Sequence, residues 1–218
     1  MPPQNNPKTI LMAKNSQLEE RILLAAEELF MTNGFDATST TDIAKRAGCN
    51  QALVHYYYRT KENLFHQIFT EKFQLILSYI QAESHENQTL SEALSIFIDS
   101  YFEMLSQNRK LPFFLIKELI INEERRQMMR KKMITDVGSL KYYAEWDQMV
   151  KAEIEKGAIR PIETMDLTLD VMSLIIFTFI SLPLYSDLFN QNEAEIKDYL
   201  QRRKSEIKTL IINGLKSK

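Results

Sequence analysis

Three residues, Ala44, Gly48 and Val54, constrain this chain more than any others. They lie within Thr38–Lys61, TSTTDIAKRAGCNQALVHYYYRTK. Ser39 and Asp42 stand at the spacing of a capping box, so a helix is expected to open there. Ile43 and Ala44 give that helix an inward face. Gly48 follows, where a sharp turn needs a residue free to take positive φ. Asn50 then N-caps a second helix, Gln51–Tyr58. A small residue, glycine four later and an apolar residue six after that suit two helices crossing closely at a steep angle. This is the helix-turn-helix arrangement, whose second helix can enter the major groove of DNA.

An ordinary helical corner in an all-α core would satisfy the same spacing. The outward residues of the second helix argue against it. Gln51, Leu53, His55, Tyr56 and Tyr57 are a poor solvated face and a good set for base edges, thymine methyls and phosphates. Arg59 and Lys61 follow, with Thr60 placed to cap the next helix. Lys61 would then stand at a positive helix N-terminus, a place suited to a phosphate oxygen.

Global charge is no guide, because the net charge is −2. Between Lys14 and Phe65 there are six basic and seven acidic residues. Clustering is more telling, since Lys45–Glu62 holds four of those bases and a single acid after Asp42. Such a patch predicts salt-sensitive binding. With 26% charged and 44% hydrophobic residues the chain is neither disordered nor fibrous. Cys49, the one cysteine, excludes an internal disulfide framework and reads as a small hydrophobe in the turn. No apolar segment follows Met1, and the run Val171–Leu184 is short for a membrane span, so a cytoplasmic protein without a membrane role is expected. His55, His66 and His85 form no metal-binding pattern, and no catalytic constellation stands out. Neither an enzyme nor a metal or cofactor is expected.

Periodicity predicts an all-α fold. Residues 1–15, with Pro2, Pro3 and Pro7, read as a flexible arm. A capping box at Ser16–Glu19 opens a first helix to Asn33, stopped by Gly34. With the pair above it forms a DNA-binding domain over 16–62. A longer helix, Lys61–Ala82, links this to a helical domain over 63–218. Ser84–Gln88 reads as a polar break, and Thr89–Glu92 caps the next helix. Phe113–Lys156 is helical with one break near Asn122, and Glu123–Lys132 reads as a solvated surface or bend. Residues 166–182 are apolar on nearly every side and end or kink at Pro183. With the capped helix 193–213 they are expected to form a homodimer interface, two helices from each subunit making a four-helix bundle. The alternative is packing within one chain.

The chain resembles the TetR family of transcriptional regulators. Ile22–Phe65 carries the likeness, in order: an A-x-x-L-F helix, a G-F-x-x-T turn, an I-A-x-x-A-G helix, a recognition helix ending in aromatics, and K-E-x-L opening the fourth helix. The resemblance implies DNA contacts at Thr40 and Thr41, at Gln51, Ala52, Leu53, His55, Tyr56 and Tyr57, and at Lys61. His55 falls where the family has Tyr, and Tyr58 where it has Phe. The family mechanism implies a dimer on a double-stranded operator, released when a small molecule binds the C-terminal domain, with repression the default. Candidate pocket residues are Phe97, Tyr101, Phe102, Met104, Phe113, Phe114, Tyr143, Trp146, Met149 and Phe177, which points to an apolar or aromatic effector. A helical interaction module without DNA binding is the alternative function.

Overall fold

The computed structural model describes residues 7–81, 88–135 and 137–217. Among them ten α-helices account for the fold, with no strand beyond an isolated bridge between Ile159 and Lys216. The helices are α1 (Pro7–Asn33), α2 (Thr40–Ala47), α3 (Gln51–Tyr58), α4 (Lys61–Gln81), α5 (Leu90–Gln107), α6 (Leu111–Ile121), α7 (Glu123–Thr135), α8 (Val137–Glu155), α9 (Thr164–Leu188) and α10 (Glu193–Leu215). They divide into two compact units, with the boundary between Phe73 and Gln74.

The first unit is a three-helix corner closed by the start of α4. Its fully buried centre is Ile22, Ala26, Phe30, Ile43, Leu64, Phe65, Ile68 and Phe69. Phe65 meets Phe30 and Phe35 edge-on, with ring centroids 5.1 and 5.0 Å apart. The first turns of α4 therefore belong to this unit, and its packing runs past the sequence-derived limit at residue 62. Helix α1 also starts earlier than expected. It opens at Pro7, so the Ser16–Glu19 box lies inside the helix and caps no end. Nothing between Lys8 and Asn15 breaks a helix, whereas Pro7 suits a first turn. Residues 1–6 of the expected flexible arm, and 84–87 of the expected polar break, lie outside the described residues.

The second unit is built around α5. Leu94, Ile98, Tyr101, Phe102 and Leu105 are buried on it, and the Phe102 and Phe179 rings meet at 4.9 Å. Thr89 and Glu92 cap it reciprocally, as the sequence indicates. A break falls at Asn122, whose side-chain oxygen accepts from the Arg125 N–H while Arg126 donates to the carbonyls of Leu119 and Ile120. A further break separates Thr135 from Val137.

Two expectations carry alternatives, and one alternative of each falls here. The charged stretch after Asn122 is not all solvated: Arg125 is buried against Glu118, both side chains 8% exposed. Nor does Pro183 end α9, which continues to Leu188 with the proline inside it. One face of α9 packs inward through Leu167, Val171, Ile175, Phe179 and Leu182. The opposite face leaves Met165, Leu169, Phe177, Leu184 and Leu188 exposed, Phe177 by 66% and Leu184 by 71%. By length and composition α9 could cross a membrane, although a third of its most apolar window is buried in this unit.

The buried ion pair gives a direct test. Glu118→Ala leaves Arg125 without its carboxylate and should destabilise the protein by about 3–5 kcal/mol. Replacing both residues with apolar ones of similar volume should restore most of that loss, as read by urea unfolding.

Candidate nucleic-acid interface

The angle between α2 and α3 is fixed by one turn. Gly48 adopts φ 65° and ψ 42°, the left-handed region in which a side chain is strained. Its N–H donates to the Lys45 carbonyl and the Cys49 N–H to that of Ala44, at 3.3 and 2.9 Å. This is a Schellman closure of α2. The Arg21 guanidinium on α1 donates to the Ala47 carbonyl and, at 3.4 Å, to that of Gly48. A Cβ on Gly48 would lie 2.7 Å from that guanidinium. Cys49 is half-buried in the turn, and burial pushes its thiol up while Arg21 partly opposes that.

Both helices open on capping groups. Ser39 and Asp42 form the reciprocal box, and the hydrogen bonds from Ser39 hold the Asp42 carboxyl below the usual range. Asn50 accepts from the Leu53 N–H at 3.0 Å. Val54 and Tyr58 are the buried residues of α3. The Tyr58 hydroxyl reaches the Glu19 carbonyl at 3.2 Å, which gives the phenol a partner where an apolar ring would have none. Burial, then the charges of Glu19 and Glu71, pushes its pKa up to about 12.

The rest of α3 faces outward. Gln51, Ala52, His55 and Tyr56 are exposed, and Leu53 and Tyr57 half-buried. Thr41 is exposed and Thr40 half-buried at the start of α2. Gln51 Nε2 donates to Thr40 Oγ1 at 2.8 Å and lies 3.5 Å from His55 Nε2. His55 Nδ1 meets the Arg59 carbonyl at 3.1 Å. Tyr56 and Tyr57 rings stand edge to face at 5.2 Å.

Not every predicted cation faces solvent. Lys61 Nζ donates to the carbonyls of Phe35 and Thr38 at 3.0 and 3.1 Å and lies 4.1 Å above the Phe35 ring. In this structure it ties down the turn between α1 and α2. Arg46 forks onto Glu28 of α1. Lys45 and Arg59 are exposed cations beside the recognition helix. Arg59 itself has φ 66° and ψ −56°, and the Thr60 N–H bonds to the Tyr58 carbonyl at 2.7 Å. This is a γ-turn of the strained, positive-φ kind. No local signal in the sequence marks it.

The pocket candidates of the second unit separate. Phe97, Tyr101, Phe102, Met104, Phe114 and Trp146 are buried, and Met149 is half-buried. Phe113, Tyr143 and Phe177 lie at the surface of this chain. The Phe97 and Tyr101 rings stack at 5.5 Å, and burial holds the Tyr101 phenol far above its ordinary range.

Gly48→Ala should cost about 1–2 kcal/mol for the left-handed backbone alone, and more where Arg21 is displaced. A thermal melt with and without Arg21→Ala separates the two. Tyr58→Phe tests the buried phenol by pH. The folded pKa lies above the ordinary 10, so the contribution is intact below pH 10 and lost as pH rises through about 12. Wild type should lose stability over that window, and the Phe variant should lose less.

Comparison with known proteins gives the same picture. Residues 22–68 match the family described as bacterial regulatory proteins, tetR family. A fatty acid metabolism regulator protein of Bacillus subtilis is 25% identical over 150 residues, covering 68% of this chain and 73% of that protein. The transcriptional regulator QacR of Staphylococcus aureus is 31% identical over 122 residues, 52% of this chain and 64% of its own length. In fold, the fatty acid degradation regulator FadR of Bacillus halodurans superposes with a TM-score of 0.63 at 18% identity, covering 99% of this chain and all of that one. These relatives are regulators, not enzymes. The match spans the supporting helix, the turn, the recognition helix and the start of α4, and the chain is a helix-turn-helix transcriptional regulator of the TetR family.

Proposed function

We propose that this chain works as a dimeric repressor that holds a double-stranded operator through α3 and releases it when a small apolar molecule enters the second unit. The observation that carries the DNA reading is the outward face of α3. Gln51, Ala52, His55 and Tyr56 stand exposed on a helix whose angle is set by a glycine turn and an arginine clamp. Gln51 can meet a base edge and Leu53 a thymine methyl. Lys45, Arg59 and the hydroxyls of Thr41, Tyr56 and Tyr57 suit phosphate oxygens. Lys61 serves indirectly, by holding the α1–α2 turn on which Thr40 and Thr41 stand. Operation on DNA assigns the protein to the cytoplasm.

Dimerisation is assigned to α9 and α10. The stripe Met165, Leu169, Phe177, Leu184 and Leu188 is opposite the face packed within the chain. Burying it would remove substantial apolar area from water at roughly 25 cal/mol per Å². Two such faces, with α10 beside them, make the four-helix bundle that family members need to set two recognition helices about one DNA turn apart. The buried aromatics around Phe97, Tyr101, Phe102 and Trp146 favour an apolar effector. Linkage then requires that the effector bind the DNA-free arrangement more tightly.

A gel shift with the chain's own upstream region tests the reading. Sequence-selective binding that weakens steeply between about 50 and 200 mM salt is expected. Absence of binding at low salt would favour the helical interaction module instead. Leu184→Glu together with Phe177→Glu should yield monomers by light scattering and abolish the shift, while leaving the helical content unchanged.

A further inference from the structure

The hydrogen bonds on the outer face of α3 form a chain with a direction. It begins at Arg59, whose positive φ turns its carbonyl back toward the helix that has just ended. That oxygen lies 3.1 Å from His55 Nδ1. A carbonyl only accepts, so the proton must reside on Nδ1. In the neutral ring Nε2 is then bare and can only accept. It lies 3.5 Å from Gln51 Nε2, one helical turn back. The same amide nitrogen donates to Thr40 Oγ1 at 2.8 Å. Gln51 is the first residue of α3 and Thr40 the first of α2, so the closed turn at Gly48 brings these groups together.

We propose that His55 is a positioning residue for base readout: with Thr40 it engages both amide hydrogens of Gln51 and leaves that side chain presenting only its carbonyl oxygen to the major groove. This rests on the reading that Gln51 meets a base edge. A free glutamine reads adenine with two bonds, accepting from N6 and donating to N7. A glutamine whose N–H groups are both engaged can only accept. It then takes one bond from adenine N6 or one from cytosine N4, and sets lone pairs against guanine O6 and thymine O4. The choice becomes adenine or cytosine against guanine or thymine. Exclusion of water on docking strengthens these exposed bonds, because competing partners leave and the local dielectric falls.

The strain at Arg59 fits this arrangement. A non-glycine residue at positive φ is strained and persists where its surroundings over-determine it. Here the Arg59 N–H closes on the His55 carbonyl at 3.0 Å while the His55 ring closes on the Arg59 carbonyl. The two residues fix each other, and the imidazole is held at one orientation.

The test is selection of a randomised duplex library by the full-length protein, followed by sequencing. Gln51→Ala identifies the symmetric pair of positions that this residue reads. At those positions wild type should accept adenine and cytosine within about threefold and reject guanine and thymine. His55→Phe and Thr40→Val should each free an amide hydrogen and shift the preference to adenine over cytosine by about tenfold. Thr40→Ser, which keeps the acceptor, should retain the wild-type order of bases whatever it does to affinity. A wild type that already prefers adenine tenfold overturns the proposal, and so does an unchanged order in both variants. If Gln51→Ala alters no position, the base-reading role of Gln51 fails first and this proposal falls with it. All of these side chains reach the surface, so a melting curve suffices to show that each variant is folded.

Discussion

Everything at the DNA-facing end hangs on the way α2 stops. A helix end leaves carbonyls without partners, and here those of Lys45, Ala44 and Ala47 are taken: by Gly48, by Cys49 and by Arg21 reaching across from α1. The backbone cannot relax without exposing one of them, so the direction in which α3 leaves is determined before any side chain of α3 is considered. Only then do Val54 and Tyr58 fill the angle and set the exposed face. The turn sets where the interface stands, and the hydrogen bonds among Thr40, Gln51, His55 and Arg59 then orient its contact residues.

That logic explains what could be read from the chain and what could not. Ser39, Asp42, Gly48, Asn50 and Thr60 act on groups within a few residues of themselves, and their roles followed from spacing. Lys61 did not: its ammonium rests on carbonyls of Phe35 and Thr38, more than a helix away in sequence. Arg46 likewise is spoken for by Glu28. A count of basic residues therefore overstated the charge available to phosphates. The Ser16–Glu19 box is the converse case, a genuine local signal with no helix end to serve, because the residues before it continue the helix to Pro7.

In the second unit the limit is different. Apolar periodicity separates inside from outside only where one face is polar. On α6 and α9 nearly every position is apolar, so Phe113 and Phe177 could not be told from Phe114 and Phe179 by pattern. The buried pair Glu118–Arg125 was hidden for a related reason: a charged run looks solvated until a break such as Asn122 turns one arginine back on the preceding helix.

The two apolar faces of α9 also bear on how much of this protein is needed to act. If one face is satisfied only by a second copy, the active species grows as the square of the chain concentration when copies are scarce. Occupancy of the operator then falls off faster than the protein does as a dividing population dilutes it. A regulator built this way responds to its own abundance with a threshold, and the steepness of that threshold is written in the row Met165, Leu169, Phe177, Leu184 and Leu188, none of them among the residues assigned to DNA.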